Sequence, residues 1–388
     1  MKIWNYTAEE LQQLGAFYTA AEIYGQPGLW RKVFEKVSSE KKSISAFLQK
    51  ASNHQCLRVV LTGAGTSAYI GLSLTGVYSR HVKKFTVAVP TTDLVTHAHD
   101  YLDRQTPTLL VSFARSGNSP ESVAAATITD KYCDTVYHLI ITCDATGALA
   151  NFVTSSEKHV FVLPAEANDQ SLAMTGSYTG MLLAGLLIGR LPELETLGGQ
   201  LTLLEKYADK LLNTYWENIS KLAKTEFHRA VFLGSGPLYG TAIESQLKLQ
   251  ELTDGIIVCK HDSFLGFRHG PKAVVDCKTL VFFLFSNSRY VLQYERDLVN
   301  AMGNGHKALY QSGVMESGEK LPNLDQVLIL SDNGNHLEEE FLPVVSILPA
   351  QMLGFFKSLH LGLSPDRPSV SGAISRVVKG VNIYPFEQ

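Results

Sequence analysis

The sequence predicts an α/β protein made of two tandem, doubly wound parallel sheets, each in three-layer α/β/α order, with an N-terminal helical extension. Three observations predict it. Short Val/Leu/Ile runs stop abruptly in glycine- and hydroxyl-rich turns, as buried parallel strands do. Each turn opens a helical pattern, giving the alternation of a doubly wound sheet. The plan also occurs twice: Gly63-Ala64-Gly65 is echoed by Gly234-Ser235-Gly236, and Val162-Leu163-Pro164-Ala165 by Ile347-Leu348-Pro349-Ala350. Internal duplication outranks any single motif as a sign of fold.

In chain order, residues 1–50 form the extension, where Thr7-Ala8-Glu9-Glu10 has capping-box form and Leu11, Leu14 and Phe17, then Val33, Phe34 and Val37, recur at helical spacing. The first domain is expected over 51–195, with strands at 57–61, 85–89, 109–111, 136–142 and 158–163. A wholly apolar helix follows at 181–187. Residues 196–226 read as a helical connector with an apolar face of Leu201, Leu204, Tyr207, Ala208, Leu211 and Leu212. The second domain, 227–365, is expected to place strands at 229–233, 256–259, 280–285, 327–330 and 344–348. Residues 366–388 form a tail rich in turn formers that runs over the surface toward a site.

Composition narrows the function. The 388 residues suffice for two domains, and 45% hydrophobic with 18% charged residues is ordinary for a globular chain. A net charge of −3 carries no basic footprint for nucleic acid or an anionic membrane. The five cysteines (Cys56, Cys133, Cys143, Cys259, Cys277) lack C-x-x-C spacing, so neither a disulfide framework nor a metal site is expected, and most read as buried thiols. The N-terminus has no secretory h-region and the longest apolar run, 181–189, is too short for a bilayer. A cytoplasmic protein is expected.

The turn Arg115-Ser116-Gly117-Asn118-Ser119 follows Leu109-Leu110-Val111 and leads into a helix that Ser119 can cap and Pro120 can start. Free N–H groups at such a helix start, with hydroxyls beside them, make a cradle for phosphate, although serine-rich turns are also ordinary connections. Thr62-Gly63-Ala64-Gly65-Thr66-Ser67-Ala68 is a second such turn. A dinucleotide fingerprint would need glycine at Ala68, and no acidic residue closes the next strand, so no nicotinamide cofactor is expected.

The other chemical segment is 244–272. Lys248 and Glu251 share a helix face with Glu244 one turn earlier, and His269 stands before Gly270-Pro271. A carboxylate and an imidazole brought to one pocket can divide proton transfer. A surface ion pair and a structural histidine explain the same residues equally simply.

Taken together, the tandem halves, Gly-Ala-Gly-Thr-Ser at 63–67, Ser-Phe-Ala-Arg-Ser-Gly-Asn-Ser at 112–119, Glu251 and Arg-His-Gly-Pro at 268–271 resemble the sugar isomerase (SIS) domain family. The resemblance spans roughly 50–388 and is nearest to the AgaS branch of tagatose-6-phosphate ketose/aldose isomerases and galactosamine-6-phosphate deaminases, and more distantly to the isomerase half of glucosamine-6-phosphate synthase. It implies that Thr66, Ser67, Ser116 and Ser119 bind a sugar phosphate. Glu251 would shuttle a proton between C1 and C2, His269 would open the ring, Lys248 would support the site, and Lys379 of the tail would reach the sugar. Arg115 replaces a neutral amide of the synthase loop, and would either add a phosphate partner or pair with Glu121. The chain lacks a glutaminase domain and a cysteine near residue 1, so the expected direction is amine release.

The resemblance thus implies a deaminase/isomerase turning galactosamine 6-phosphate into tagatose 6-phosphate and ammonia, without cofactor or metal, as a homodimer or higher homo-oligomer with a site shared between subunits. A pure aldose/ketose isomerase and a non-catalytic sugar-phosphate sensor are the alternatives. The sensor is disfavoured because the first fifty residues hold no basic recognition helix.

Overall fold

In the computed structural model of the chain, which describes residues 2–318, 321–332, 334–377 and 380–386, the Val/Leu runs form two five-stranded parallel sheets. The first comprises β1 (Arg58–Thr62), β2 (Phe85–Ala88), β3 (Thr108–Ala114), β4 (Val136–Thr142) and β5 (Glu157–Val162), in the order β2-β1-β3-β4-β5. The second comprises β6 (Arg229–Leu233), β7 (Val258–Asp262), β8 (Thr279–Leu284), β9 (Tyr310–Met315) and β10 (Gln326–Ile329), in the order β10-β9-β8-β6-β7. The two orders are the same order read in opposite directions. Each reverses beside its first strand, between β1 and β3 and again between β6 and β8, and at such a switch point turns diverge to leave a crevice outside the strand ends.

The chain packs into two compact units. One comprises Met1–Pro27, Asp169–Thr175 and Gly199–Ile374; the other comprises Gly28–Asn168, Gly176–Gly198 and Ser375–Gln388. The first sheet therefore belongs with the last residues of the chain. Its core is built from Val60, Leu110, Ile140 and their neighbours, and the core of the second sheet from Val231, Phe264, Phe283 and Phe285. The helix Gly176–Gly189, which contains the apolar run 181–187, is buried along its whole length and packs on helix Thr66–Val77, where Gly185 lets Leu74 and Phe113 approach.

The expected capping box exists: Thr7 Oγ1 accepts from Glu10 N and the Glu10 carboxylate accepts from Thr7 N. The apolar face expected of the connector is the buried face of helix Gly198–Asn213. Three expectations fail. Residues 344–348 are not a strand but lie in the helices Leu342–Ser346 and Leu348–His360, each with proline in its first turn. A short β-branched run buried on all sides has no periodicity to separate strand from helix. The echo of 162–165 in 347–350 is consequently not a structural equivalence, whereas that of 63–65 in 234–236 is: Gly65 and Gly236 have φ of 53° and 55°.

Strand β9 was not expected, because Tyr310-Gln311-Ser312-Gly313 is too polar to read as a buried strand; Gly313 is needed where its neighbour on β8 presses close, the Phe283 carbonyl lying 2.8 Å from where a Cβ would stand. Among the described residues, the stretch Glu339–His360, not 181–189, is long and apolar enough by composition to cross a bilayer, yet 94% of its most apolar 18-residue window is buried inside the fold. Of the cysteines, Cys133, Cys143 and Cys259 are buried and Cys56 and Cys277 exposed.

Candidate active site

The first hydroxyl turn leaves β1 through Gly63, where a Cβ would meet the Ser67 backbone at 2.6 Å, and through Gly65 in the left-handed region. The backbone must double back tightly here, which only glycine permits. Thr66 and Ser67 consequently open helix Thr66–Val77 with their side chains buried, 5% and 4% exposed.

The second turn leaves β3. Ser119 occupies the cap position of helix Pro120–Tyr132, but its hydroxyl bonds Ser122 Oγ at 2.6 Å instead of a first-turn N–H. Ser116 Oγ accepts from Asn118 N at 3.2 Å. The turn is braced by the loop after β4: Leu149 N donates to Gly117 O at 2.9 Å, and Ala148 N to Asn118 Oδ1 at 2.9 Å. These two turns flank the switch point of the first sheet. Arg115 is only 7% exposed, and its Nη2 donates to the carbonyl of Arg376 at 2.5 Å.

The corresponding turns of the second sheet differ in chemistry although the backbone plan repeats. After Gly236 come Pro237 and Leu238, with no hydroxyl. After β8, the protein's own carboxylates take the donors: Ser286 N donates to Glu295 Oε2 at 3.0 Å, the Ser286 hydroxyl to Glu339, and Asn287 Nδ2 to Glu316 Oε2 at 2.8 Å. An anion from outside would have to displace these carboxyl groups there. The duplicated turns thus differ in what lines them: hydroxyls in the first sheet, and the protein's own carboxyl groups after β8 in the second.

The second sheet's unit carries the charged helix Leu238–Leu252. Lys248 Nζ lies 2.6 Å from Glu251 Oε2 and 3.3 Å from Glu244 Oε1. Lys248 and Glu244 are fully buried, whereas the Glu251 side chain keeps 23% exposure. Burial disfavours the Lys248 cation, but the Glu244 and Glu251 carboxylates outweigh it and hold the ammonium above the usual lysine value. The reading of Lys248 and Glu251 as an ordinary surface pair is therefore overturned.

His269 arrives differently. Ser263 caps the short helix Phe264–Phe267 through Gly266 N at 3.0 Å, with Phe264 and Phe267 buried as anchors. Arg268, His269 and Gly270 then stand exposed before Pro271 starts a 3₁₀ turn to Val274. Among the described residues, the His269 imidazole makes no hydrogen bond to Glu251. Lys379 lies outside the described residues. Glu244, which spacing placed on this helix face without a role, is fully buried beside Lys248, and such burial leaves no local signal in the sequence. No cluster of three or more His, Cys, Asp or Glu side chains suited to a metal occurs among the described residues.

Similarity to known proteins bears on the fold and the family. The SIS domain model matches residues 54–189, the span of the first sheet and its helices. The D-galactosamine-6-phosphate deaminase AgaS of Shewanella sp. (strain ANA-3) is 41% identical over 384 residues, covering 98% of this chain and 95% of that protein. The chain belongs to the AgaS group of the SIS-domain family. Solved structures extend this. A Clostridium novyi NT structure superposes with a TM-score of 0.96 at 37% identity over 100% of both chains. The tagatose-6-phosphate ketose/aldose isomerase of Escherichia coli gives 0.86 at 35% identity, covering 96% of this chain and 97% of that one. The tandem SIS fold inferred from sequence is thus the fold of this AgaS-group protein.

Proposed function

We propose that this AgaS-group protein is an amino-sugar-phosphate deaminase/isomerase that converts galactosamine 6-phosphate and water into tagatose 6-phosphate and ammonia. The observation that carries the reading is the buried Lys248 held between two carboxylates, of which only Glu251 keeps access to solvent. A lysine fixed in its charged form orients that carboxylate, which then serves as a base of defined position.

In the open-chain aldose the C2–H is acidified by the C1 aldehyde. Glu251 removes that proton and returns it at C1, so the electron pair moves through the enolamine and C2 becomes an imine. Water adds to the imine, the C–N bond breaks, and the ketose and ammonia leave. His269 assists ring opening by exchanging a proton with the ring oxygen. Thr66, Ser67, Ser116 and Ser119, with the helix starts behind them, hold the phosphate remote from the reacting carbons, and Lys379 contributes from the tail. The exposure of His269 suits a site completed by a second copy of the chain in a homo-oligomer, and a cytoplasmic location fits a sugar-phosphate substrate.

The test is direct: purified protein and galactosamine 6-phosphate, with ammonia and ketose phosphate measured separately. Equal amounts of both are expected, and release of neither refutes the reading. The name carried by the Escherichia coli structure favours a second one, aldose/ketose isomerisation without ammonia release; ketose formation from galactose 6-phosphate at a higher kcat/KM than from the amino sugar would select it.

A further inference from the structure

The end of the chain is tied to the first sheet's unit at two places. At the first, Arg376 stands over the carboxyl ends of three adjacent strands. Its carbonyl accepts from Arg115 after β3, and its Nη2 donates to Asn168 Oδ1 beyond β5 at 2.7 Å. After β4, the Asp144 carboxyl is held below its usual range by the Thr146 hydroxyl and N–H, with the Arg376 charge adding to the effect. At the second, Phe386 stacks on His99 with centroids 5.3 Å apart and meets Tyr132 edge-on at 6.1 Å. Ile383–Phe386 lie against the helix Pro120–Tyr132, whose cap is Ser119, across a cavity of about 370 Å³. The tail is therefore fixed at its two ends to the element that carries the hydroxyl turn, and its far seat is loosely filled.

Arg115 joins these parts. It precedes Ser116 directly, it is nearly buried, and its guanidinium reaches a main-chain carbonyl of the tail. We propose that Arg115 is a positioning residue which couples the phosphate turn to the tail, so that a phosphate on Ser116 and Ser119 and the seating of Arg376, Val377 and residues 380–386 stabilise one another. The inference rests on the reading of that turn as a phosphate cradle. A shift of the turn moves the Arg115 backbone and with it the donor that holds Arg376. By linkage, a phosphate that favours one geometry of the turn favours the seated tail by the same factor.

The experiment uses the full chain as wild type, Arg115→Gln and Phe386→Ala, with inorganic phosphate as probe. Three quantities are read: hydrogen exchange of residues 376–386 with and without phosphate, the inhibition constant of phosphate, and kcat with KM for galactosamine 6-phosphate. In wild type, phosphate slows exchange in the tail. In Arg115→Gln that protection is lost, the inhibition constant of phosphate rises by the same factor as the protection falls, and kcat falls at least tenfold, because Lys379, proposed to reach the sugar, follows Arg376 by three residues in the sequence. Phe386→Ala, which leaves the turn untouched, reproduces the loss of protection and the fall in kcat. A tenfold or larger rise in the inhibition constant with unchanged kcat makes Arg115 a direct phosphate ligand and overturns the proposal. Unaltered tail exchange in Arg115→Gln, or no effect of phosphate on the wild-type tail, overturns it as well. Tail protection in a wild type that releases no ammonia keeps the coupling and refutes only the proposed reaction.

Discussion

Lys248 and Glu251 face each other at 2.6 Å on one helix, the lysine fully buried and the glutamate open to solvent on one side. Across the same ammonium lies Glu244, at 3.3 Å and fully buried. A single cation thus serves one carboxylate that must stay dry and one that can meet a substrate.

Removing the cation should cost both stability and activity. Lys248→Met removes the ammonium from beside the buried Glu244 carboxyl group, and breaking a buried pair costs about 3–5 kcal/mol. Adding Glu244→Gln should recover part of that loss, visible as a rise in the urea midpoint. The double variant should remain inactive, because Glu251 has still lost its orienting hydrogen bond. Recovery of ammonia release in the double variant would deny Lys248 any role beyond charge balance.

Glu251→Gln tests the base itself. The amide can still accept from Lys248, so chemical denaturation should match wild type to within about 1 kcal/mol. Turnover should fall by roughly 10²–10⁴-fold, the usual contribution of a positioned general base. A variant that keeps full turnover removes Glu251 from the mechanism.

Gly147→Ala addresses the cradle without touching a hydroxyl. A Cβ there would stand 2.2 Å from the Ser116 carbonyl oxygen, a backbone atom, so the turn itself must move. KM for the sugar phosphate should rise roughly tenfold with kcat little changed, the pattern of lost ground-state grip. An unchanged KM would separate the Ser116 turn from substrate binding.

Glu295 gives a dependence on pH. Burial, with Glu339 adding repulsion and the Ser286 N–H partly opposing, raises its carboxyl from 4.5 to about 8. The folded state holds this proton where the unfolded state has lost it, so the stabilisation is complete below about pH 4.5 and is lost as pH rises toward 8. Stability measured by urea unfolding should therefore fall by a few kcal/mol, about 2–4, between pH 5 and pH 8 from this group. Glu295→Gln, neutral throughout, should flatten that part of the profile and unfold at higher urea than wild type at pH 8. Identical slopes for the two proteins would show that Glu295 is ionised and solvated in the fold.

Much of this could be read locally. Strands β4 and β6 fall on the residues that the apolar runs mark, 136–142 and 229–233, and the Gly63 and Gly234 turns repeat the same constraint on a Cβ. Residues 344–348 and β9 misled for one reason, since burial on every side or a polar surface erases the period that separates helix from strand. The site divides likewise. Thr66, Ser67, Ser116 and Ser119 were legible as candidates because they stand at fixed offsets from a strand end, whereas the contact of Arg115 with the Arg376 carbonyl was not, since Arg376 lies far along the chain.

By itself the sequence determined the two copies of a strand-turn-helix plan and the glycines and hydroxyls at their turns, because φ > 0, capping and alternation are properties of a few neighbouring residues. Only the tertiary structure decided which turn the protein's own carboxyl groups occupy, for Glu295, Glu316 and Glu339 reach the Ser286 turn from distant segments and nothing comparable reaches Ser116 among the contacts described. It also decided that Lys248 is buried and Glu251 is not. Burial and charge pairing are set by what packs against a helix from elsewhere in the chain, and no local pattern carries that information.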